Sequence, residues 1–303
     1  MTAPARTWTI VDMLQWGTDY FAAREVDSPR LSVELLLCHV TGLQRIDLYV
    51  QHDKPLTDVE LSVLRSMIKR RAKGEPLQYI LGSVEFMGCT IGVEAGVLIP
   101  RPETEFIVDD LCRRMQGLGA RELRVLDIGS GSGCIAIALA RVFPSARILA
   151  LDVSEQALSI AERNAVTNKV ENIVFRKCDI LSQLPRIQAP FDVIVSNPPY
   201  IADCEVAQLQ REVRDYEPLN ALTDNKDGLS FYRRFAEIFP RMLAPQGLFC
   251  LEFADGASEE LTGMFTKAGY RCEVLRDLRD EPKALLGSRQ ANTRPSNELG
   301  GMT

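Results

Sequence analysis

Histidine is nearly absent from this chain of 303 residues: there are two, His39 and His52, both in the N-terminal region. A histidine base at a site built farther along the chain is therefore disfavoured. Eight cysteines stand singly, with no C-x-x-C pair, so neither a clustered zinc site nor the disulfide framework of a small secreted domain is encoded, and no metal is expected. Cys134 and Cys250 sit inside apolar runs and serve as small core fillers. H-E-x-x-H, G-x-S-x-G and Gly-Lys are all missing, which excludes zinc-protease, lipase-type and P-loop chemistry. Long apolar runs are missing too. The central one, Ile135 to Ala140, falls far short of the roughly 18 residues of a membrane span. Met1 to Thr9 contains Pro4, Arg6 and Trp8 and no apolar signal core, so the expected location is the cytoplasm. Positive charge is also short, 35 Lys and Arg against 41 Asp and Glu for a net charge of −6, which disfavours nucleic acid as a partner held by charge.

What is present is an ordinary soluble composition, 46% hydrophobic and 25% charged, sufficient for one large or two medium domains. The first hundred residues predict helices followed by a hairpin. Thr9 with Asp12 forms a capping box ahead of Ile10, Leu14, Gly17 and Phe21 at helical spacing. Ser28 as cap and Pro29 at the first helical position open a second helix, with Leu31, Leu35 and Cys38 on one side and a stop at Gly42. A third runs from the Thr57/Glu60 box through Leu61, Leu64 and Ile68 to Gly74. Val84 to Leu98, rich in β-formers and punctuated by Gly88, Gly92 and Gly96, predicts a hairpin with tight turns. Arg65, Lys69, Arg70, Arg71 and Lys73 crowd the end of the third helix, where cations complement the helix dipole. The sharper expectation is that this face meets an acidic partner.

From about residue 101 short apolar runs alternate with helical stretches. The runs are 123–128, 147–152, 172–178, 191–196 and 247–253; the helices are 132–143, 154–168, 229–243 and 256–268. That alternation predicts an α/β, doubly wound and mostly parallel sheet with helices on both faces. The tail from Gln290 is poor in apolar residues and is expected to be disordered. The expected division is a helical domain over 1–80, a hairpin linker over 81–100, a catalytic domain over 101–289 and a tail over 290–303.

The strongest local signal is VLDIGSGSGCIAIALA, residues 125–140: a strand, then Gly129, Ser130, Gly131, Ser132 and Gly133, then an apolar helix. Such a loop lets backbone approach a ligand lying across the strand ends. Cys134 stands where a dinucleotide fingerprint G-x-G-x-x-G needs its third glycine, so a nicotinamide cofactor is disfavoured. Asp152 ends the second strand, where a carboxylate can accept both hydroxyls of a ribose. Asp179 follows the third, where it can meet an adenine amino group. Glycine loop and ordered acids together resemble the S-adenosylmethionine site of Rossmann-like methyltransferases. Asp127 either faces this cofactor or braces the loop.

The fourth strand ends in Asn197-Pro198-Pro199-Tyr200. Two prolines remove two backbone donors and stiffen the turn, leaving the Pro198 carbonyl and the Asn197 amide at the sheet's edge to grip a planar NH₂ group. Tyr200 offers a ring for close contact. An amide or aromatic amine is a poor nucleophile, and catalysis is expected to be positioning. The tetrapeptide resembles that of methyltransferases acting on adenine N6, guanine N2 or glutamine, so it names nitrogen chemistry and leaves open an exocyclic base amine of RNA or DNA.

The choice comes from segments elsewhere. GEPLQYILGSVEFMG (74–88), VLIPRPETE (97–105), REVRDYEPLNAL (211–222), DGLSFYRR (227–234) and LEF (251–253) resemble the HemK/PrmC family of protein glutamine N5-methyltransferases, over nearly the whole chain. The resemblance implies methyl transfer from S-adenosylmethionine to the glutamine of the Gly-Gly-Gln motif of class I peptide chain release factors. It also implies a cofactor held by Gly129, Ser130, Gly131, Ser132, Gly133, Asp152, Asp179 and Asn197 with Ile180 beside its adenine, and an acceptor amide held by Asn197, Pro198, Pro199 and Tyr200. Arg101 and Glu103 would line the site, although Pro102 followed by Glu103 and Glu105 is also ordinary helix-start chemistry. After LEF the chain reads Ala254-Asp255-Gly256-Ala257-Ser258, which departs from the family's usual loop, and Glu252 receives no role.

Overall fold

The computed structural model describes residues 7–119, 122–186 and 189–289; the expectation of a disordered tail lies outside them. Both capping boxes form. Thr9 and Asp12 exchange hydrogen bonds at the start of α1 (Ile10–Ala22), as do Thr57 and Glu60 at the start of a later helix. Helix α2 (Pro29–Thr41) begins at Pro29, but Ser28 is left-handed (φ 46°) and caps nothing with its side chain. Its buried face is Val33, Leu36 and Leu37 rather than the Leu31, Leu35 and Cys38 side. The reason is the crossing with α1: a Cβ on Gly17 would stand 2.8 Å from a Val33 methyl, so the two helices meet through that pair.

Buried Glu34 of α2 accepts from Arg45 at 2.6 Å and from Tyr49, which pins the short α3 (Arg45–Val50) that periodicity does not reveal. Helix α4 (Asp58–Arg71) and the one-turn α5 (Leu77–Leu81) complete the bundle. The hairpin is shorter than expected: β1 (Ser83–Phe86) pairs with β2 (Cys89–Gly92) across a Met87-Gly88 turn with both φ positive, 48° and 70°. Residues 93–100 form an irregular strap. Asn164 stitches the hairpin down, taking the Gly92 amide at 2.9 Å and donating to both the Gly92 and the Ser132 carbonyls.

Beyond the strap, α6 (Pro102–Gln116) leads into β3 (Arg124–Ile128), α7 (Cys134–Val142), β4 (Arg147–Asp152), α8 (Glu155–Thr167), β5 (Ile173–Lys177) and β6 (Phe191–Ser196). The short helices α9 (Arg211–Tyr216) and α10 (Leu219–Leu222) follow, then α11 (Ser230–Met242), β7 (Leu243–Glu252), α12 (Ser258–Lys267), β8 (Tyr270–Arg276) and β9 (Pro282–Arg289). Seven strands lie in the order β5-β4-β3-β6-β7-β9-β8, parallel except for β9, which runs antiparallel to both neighbours. Sequence pattern supplied the five strands from β3 to β7. The β8–β9 ribbon escaped it because β8 alternates with charged residues. Apolar residues of α6, α7 and α8 cover one sheet face, and an aromatic cluster from α11 and α12 covers the other.

The chain winds outward from β3 to β5, then returns to lay β6 beside β3 on the opposite side. That reversal opens a crevice at the carboxyl ends of β3, β4 and β6, where such sheets bind ligands.

Candidate active site

The crevice is shaped by the loop after β3. Gly129, Gly131 and Gly133 have φ of 77°, 53° and 81°, in the region that favours glycine. Their purposes differ. A Cβ on Gly131 would meet nothing within 4 Å and one on Gly129 only the Asn197 carbonyl at 3.9 Å, so both leave space over the strand ends. A Cβ on Gly133 would come within 2.9 Å of the Ala161 methyl, so this glycine lets α7 pack against α8. Ser132 is buried and supplies its carbonyl to Asn164, and buried Ser130 has a hydroxyl without a partner. Asp152, at the end of β4, accepts from the Gly131 amide and the Ser154 amide, each at 2.8 Å. Burial nonetheless holds its pKa above the ordinary range.

The walls of this cleft include Leu98 from the strap, Gly129, Asp152, Ile180, Asn197 and Phe231. Asp179 is not among them: its carboxylate accepts from the Leu181 amide and the Ser182 hydroxyl, and the neighbouring side chains Cys178 and Ile180 form the wall instead. Asp127 is fully buried, and no well-formed hydrogen bond reaches either of its oxygens, the Ala136 amide making only a looser contact. Desolvation pushes its pKa up to about 7, offset in part by the Ala136 amide in the first turn of α7. Two open glycines leave room for a ligand over the strand ends, and Asp152 suits a diol. These residues fit S-adenosylmethionine.

A second cavity, about 470 Å³, lies on the other side of Asn197. Pro198, Tyr200, Arg101 and Glu103 line it, with Gln78 from the helical bundle and Glu212 and Glu217 from the segment after β6. Leu98, Asn197 and Ala221 belong to both cavities, so the two meet at the strand-end asparagine. Buried Glu217 takes the Ile99 amide at 3.1 Å and the Arg101 guanidinium at 2.5 Å. Arg101 thus holds the strap over the site as well as lining it. Arg71 of α4 is buried and ion-paired with Glu212 of α9, and Arg70 pairs with Glu75 at 2.5 Å. Arg71 is therefore not a free surface for an acidic partner, whereas Arg65, Lys69, Arg70 and Lys73 remain exposed.

Glu252, given no role by the sequence, closes the floor. It ends β7, is 5% exposed, and accepts from Thr104 at 2.7 Å and Tyr200 at 3.4 Å. Thr104 in turn accepts from the Asn197 side-chain nitrogen at 3.1 Å. Burial raises the Glu252 pKa to about 7 and moves the Tyr200 phenol well above its usual value. Glu217, Thr104 and Glu252 received no individual role from the sequence because each meets a partner distant along the chain: Arg101 for Glu217, Asn197 for Thr104 and Thr104 for Glu252.

A sheet of this order, carrying a glycine loop and the Asp152 carboxylate at its switch point and an Asn-Pro-Pro-Tyr turn beside it, defines a Rossmann-like class I S-adenosylmethionine-dependent methyltransferase. The catalytic domain of hMettl16, solved with an RNA hairpin, has the same fold: TM-score 0.50, 18% identity, 78% of this chain and 84% of that one covered. A model of the PrmC N-terminal domain matches residues 12–82, and one of a methyltransferase domain matches residues 120–284. The release factor glutamine methyltransferase of Chlorobaculum tepidum is 45% identical, covering 84% of this chain and 88% of that one. The namesakes from Geobacter sulfurreducens (44%, 89% and 93%) and Bacillus subtilis (35%, 91% and 96%) agree along almost their whole length. The chain belongs to the release factor glutamine methyltransferase family.

Proposed function

We propose that this protein methylates the side-chain nitrogen (N5) of the glutamine in the Gly-Gly-Gln motif of class I peptide chain release factors, with S-adenosylmethionine as donor, in the cytoplasm. The observation that carries this is the shared wall: Asn197 faces a cofactor cleft on one side and an acceptor cavity on the other. Among the described residues no helix is long and apolar enough to cross a membrane.

Gly129, Gly131, Asp152, Ile180 and Asn197 would hold the cofactor, which supplies a methyl group on a positively charged sulfur. Ser130 and Asp127 lie beneath it, Ser132 and Gly133 fix the loop against α8, and Asp179 fixes the turn that carries Ile180. On the acceptor side the Asn197 Oδ1 and the Pro198 carbonyl take the two N–H groups of the glutamine amide. Pro199 keeps the turn rigid, and the Tyr200 ring limits the space. Accepting both hydrogens raises electron density on the amide nitrogen and directs its lone pair across the Asn197 wall. Once that nitrogen carries a methyl group its proton becomes acidic and leaves, so no strong base is required. Arg101 and Glu103 border the path of the acceptor, and residues 1–80 with the 81–100 linker act as the unit that recognises the release factor around the 101–289 catalytic domain.

The test is to incubate the protein with labelled cofactor and, in turn, release factor, ribosomal RNA and DNA. Label is expected on the release factor and is abolished when the motif's glutamine becomes alanine. Label on nucleic acid and never on the release factor overturns the proposal.

A further inference from the structure

An asparagine side chain can present either its oxygen or its nitrogen to a substrate, and a site that must accept two N–H groups works with only one of those orientations. Nothing in the Asn-Pro-Pro-Tyr turn itself makes that choice. The Asn197 nitrogen is 3.1 Å from the Thr104 hydroxyl, and that hydroxyl is 2.7 Å from Glu252 Oε2. In its ionised form Glu252 only accepts, so the Thr104 proton points to Glu252 and its lone pair is left for the Asn197 N–H. Tyr200 donates to the other Glu252 oxygen at 3.4 Å. The donors therefore run one way, from Asn197 and Tyr200 inward to a carboxylate that is 5% exposed.

We infer that Thr104 and Glu252 are positioning residues for methyl transfer: their relay locks the Asn197 carboxamide with its nitrogen turned inward and its oxygen turned to the acceptor amide. Neither touches the reacting atoms. Thr104 sits in the first turn of α6 and Glu252 at the last residue of β7, so the relay also ties the end of the strap to the sheet beside the acceptor cavity. Burying a glutamate is costly, and its burial here is matched by two side chains of the site, Thr104 and Tyr200. The inference rests on the functional reading above.

The experiment compares Thr104→Val, Thr104→Ser and Glu252→Ala with the unaltered protein, measuring kcat and KM with a release factor and the binding of S-adenosylhomocysteine by calorimetry. With the lock removed, Thr104→Val and Glu252→Ala should lose roughly 30- to 100-fold in kcat, the scale of a misplaced reacting group. Affinity for S-adenosylhomocysteine should stay within about threefold in both, since uniform binding is not what the relay supplies. Thr104→Ser keeps the hydroxyl and should return kcat to within about threefold of the unaltered protein. Full kcat in a folded Thr104→Val, or a Thr104→Ser variant as slow as Thr104→Val, overturns the inference while leaving the functional reading intact. An unaltered protein that binds S-adenosylhomocysteine but never labels the release factor overturns the functional reading, and this inference with it.

Discussion

The two sides of the Asn197 wall are built differently. The cofactor side has a contiguous floor: one loop after β3 and the residues at the ends of β4 and β5 supply it, the parallel register sets Asp152 beside the Gly131 amide, and the strap, the α9–α10 segment and Phe231 close over it. The acceptor side is assembled from the bundle, the strap, the start of α6, the turn after β6, the α9–α10 segment and the end of β7. Its joints are buried charged groups: Glu217 on Arg101, Glu212 on Arg71, Glu252 on Thr104. A small ligand of fixed shape is served by strand ends that any such sheet provides. A glutamine presented by a whole protein needs a cavity whose walls come from several parts of the chain, and charged pairs fix their relative placement at some cost in stability.

The comparison can be broken most strongly at the shared wall. Asn197→Ala should lower turnover on a release factor on the order of 10³-fold, as removal of a preorganised polar group does. Its affinity for S-adenosylhomocysteine should fall far less; single-turnover kinetics and calorimetry separate the two. On the acceptor side, Glu212→Ala leaves the buried Arg71 charge without its carboxylate and should destabilise the fold by roughly 3 kcal/mol. Denaturant unfolding measures that loss, and a raised KM for the release factor with unchanged cofactor binding assigns it to the acceptor cavity. On the cofactor side, Asp152→Ala should weaken S-adenosylhomocysteine about 10- to 100-fold, the worth of hydrogen bonds to a charged group. Acceptor KM should not move.

The smallest effect concerns pH. Burial raises the Asp127 pKa from 3.8 to about 7, so the folded state holds its proton where the unfolded state has lost it. Stability from the neutral acid is complete below about pH 4 and is lost as pH rises through 7. Urea titrations of the ligand-free protein should show stability declining across that window, with Glu252 contributing in the same sense, and Asp127→Asn should lessen the decline by its own share.

Much of the cofactor side was legible because its chemistry is contiguous. Three glycines, an acid one strand later and Asn-Pro-Pro-Tyr can be read directly, and the fold class follows from apolar runs of six or seven residues spaced by helices. Asp179 shows the limit: its position after β5 was evident, whereas the local turn that its carboxylate also holds was not. The buried face of α2 was misjudged because Gly17 of another helix selects it. Thr104, Glu217 and Glu252 carry no local signature, since each becomes meaningful only when residues distant in sequence meet.

The most direct test is a crystal structure with S-adenosylhomocysteine and a release factor bound together. It should place the motif's glutamine nitrogen within hydrogen-bond distance of both the Asn197 Oδ1 and the Pro198 carbonyl oxygen, facing the sulfur across the wall. A glutamine lying outside the 470 Å³ cavity, or an Asn197 side chain with its nitrogen turned to the acceptor, would contradict the account.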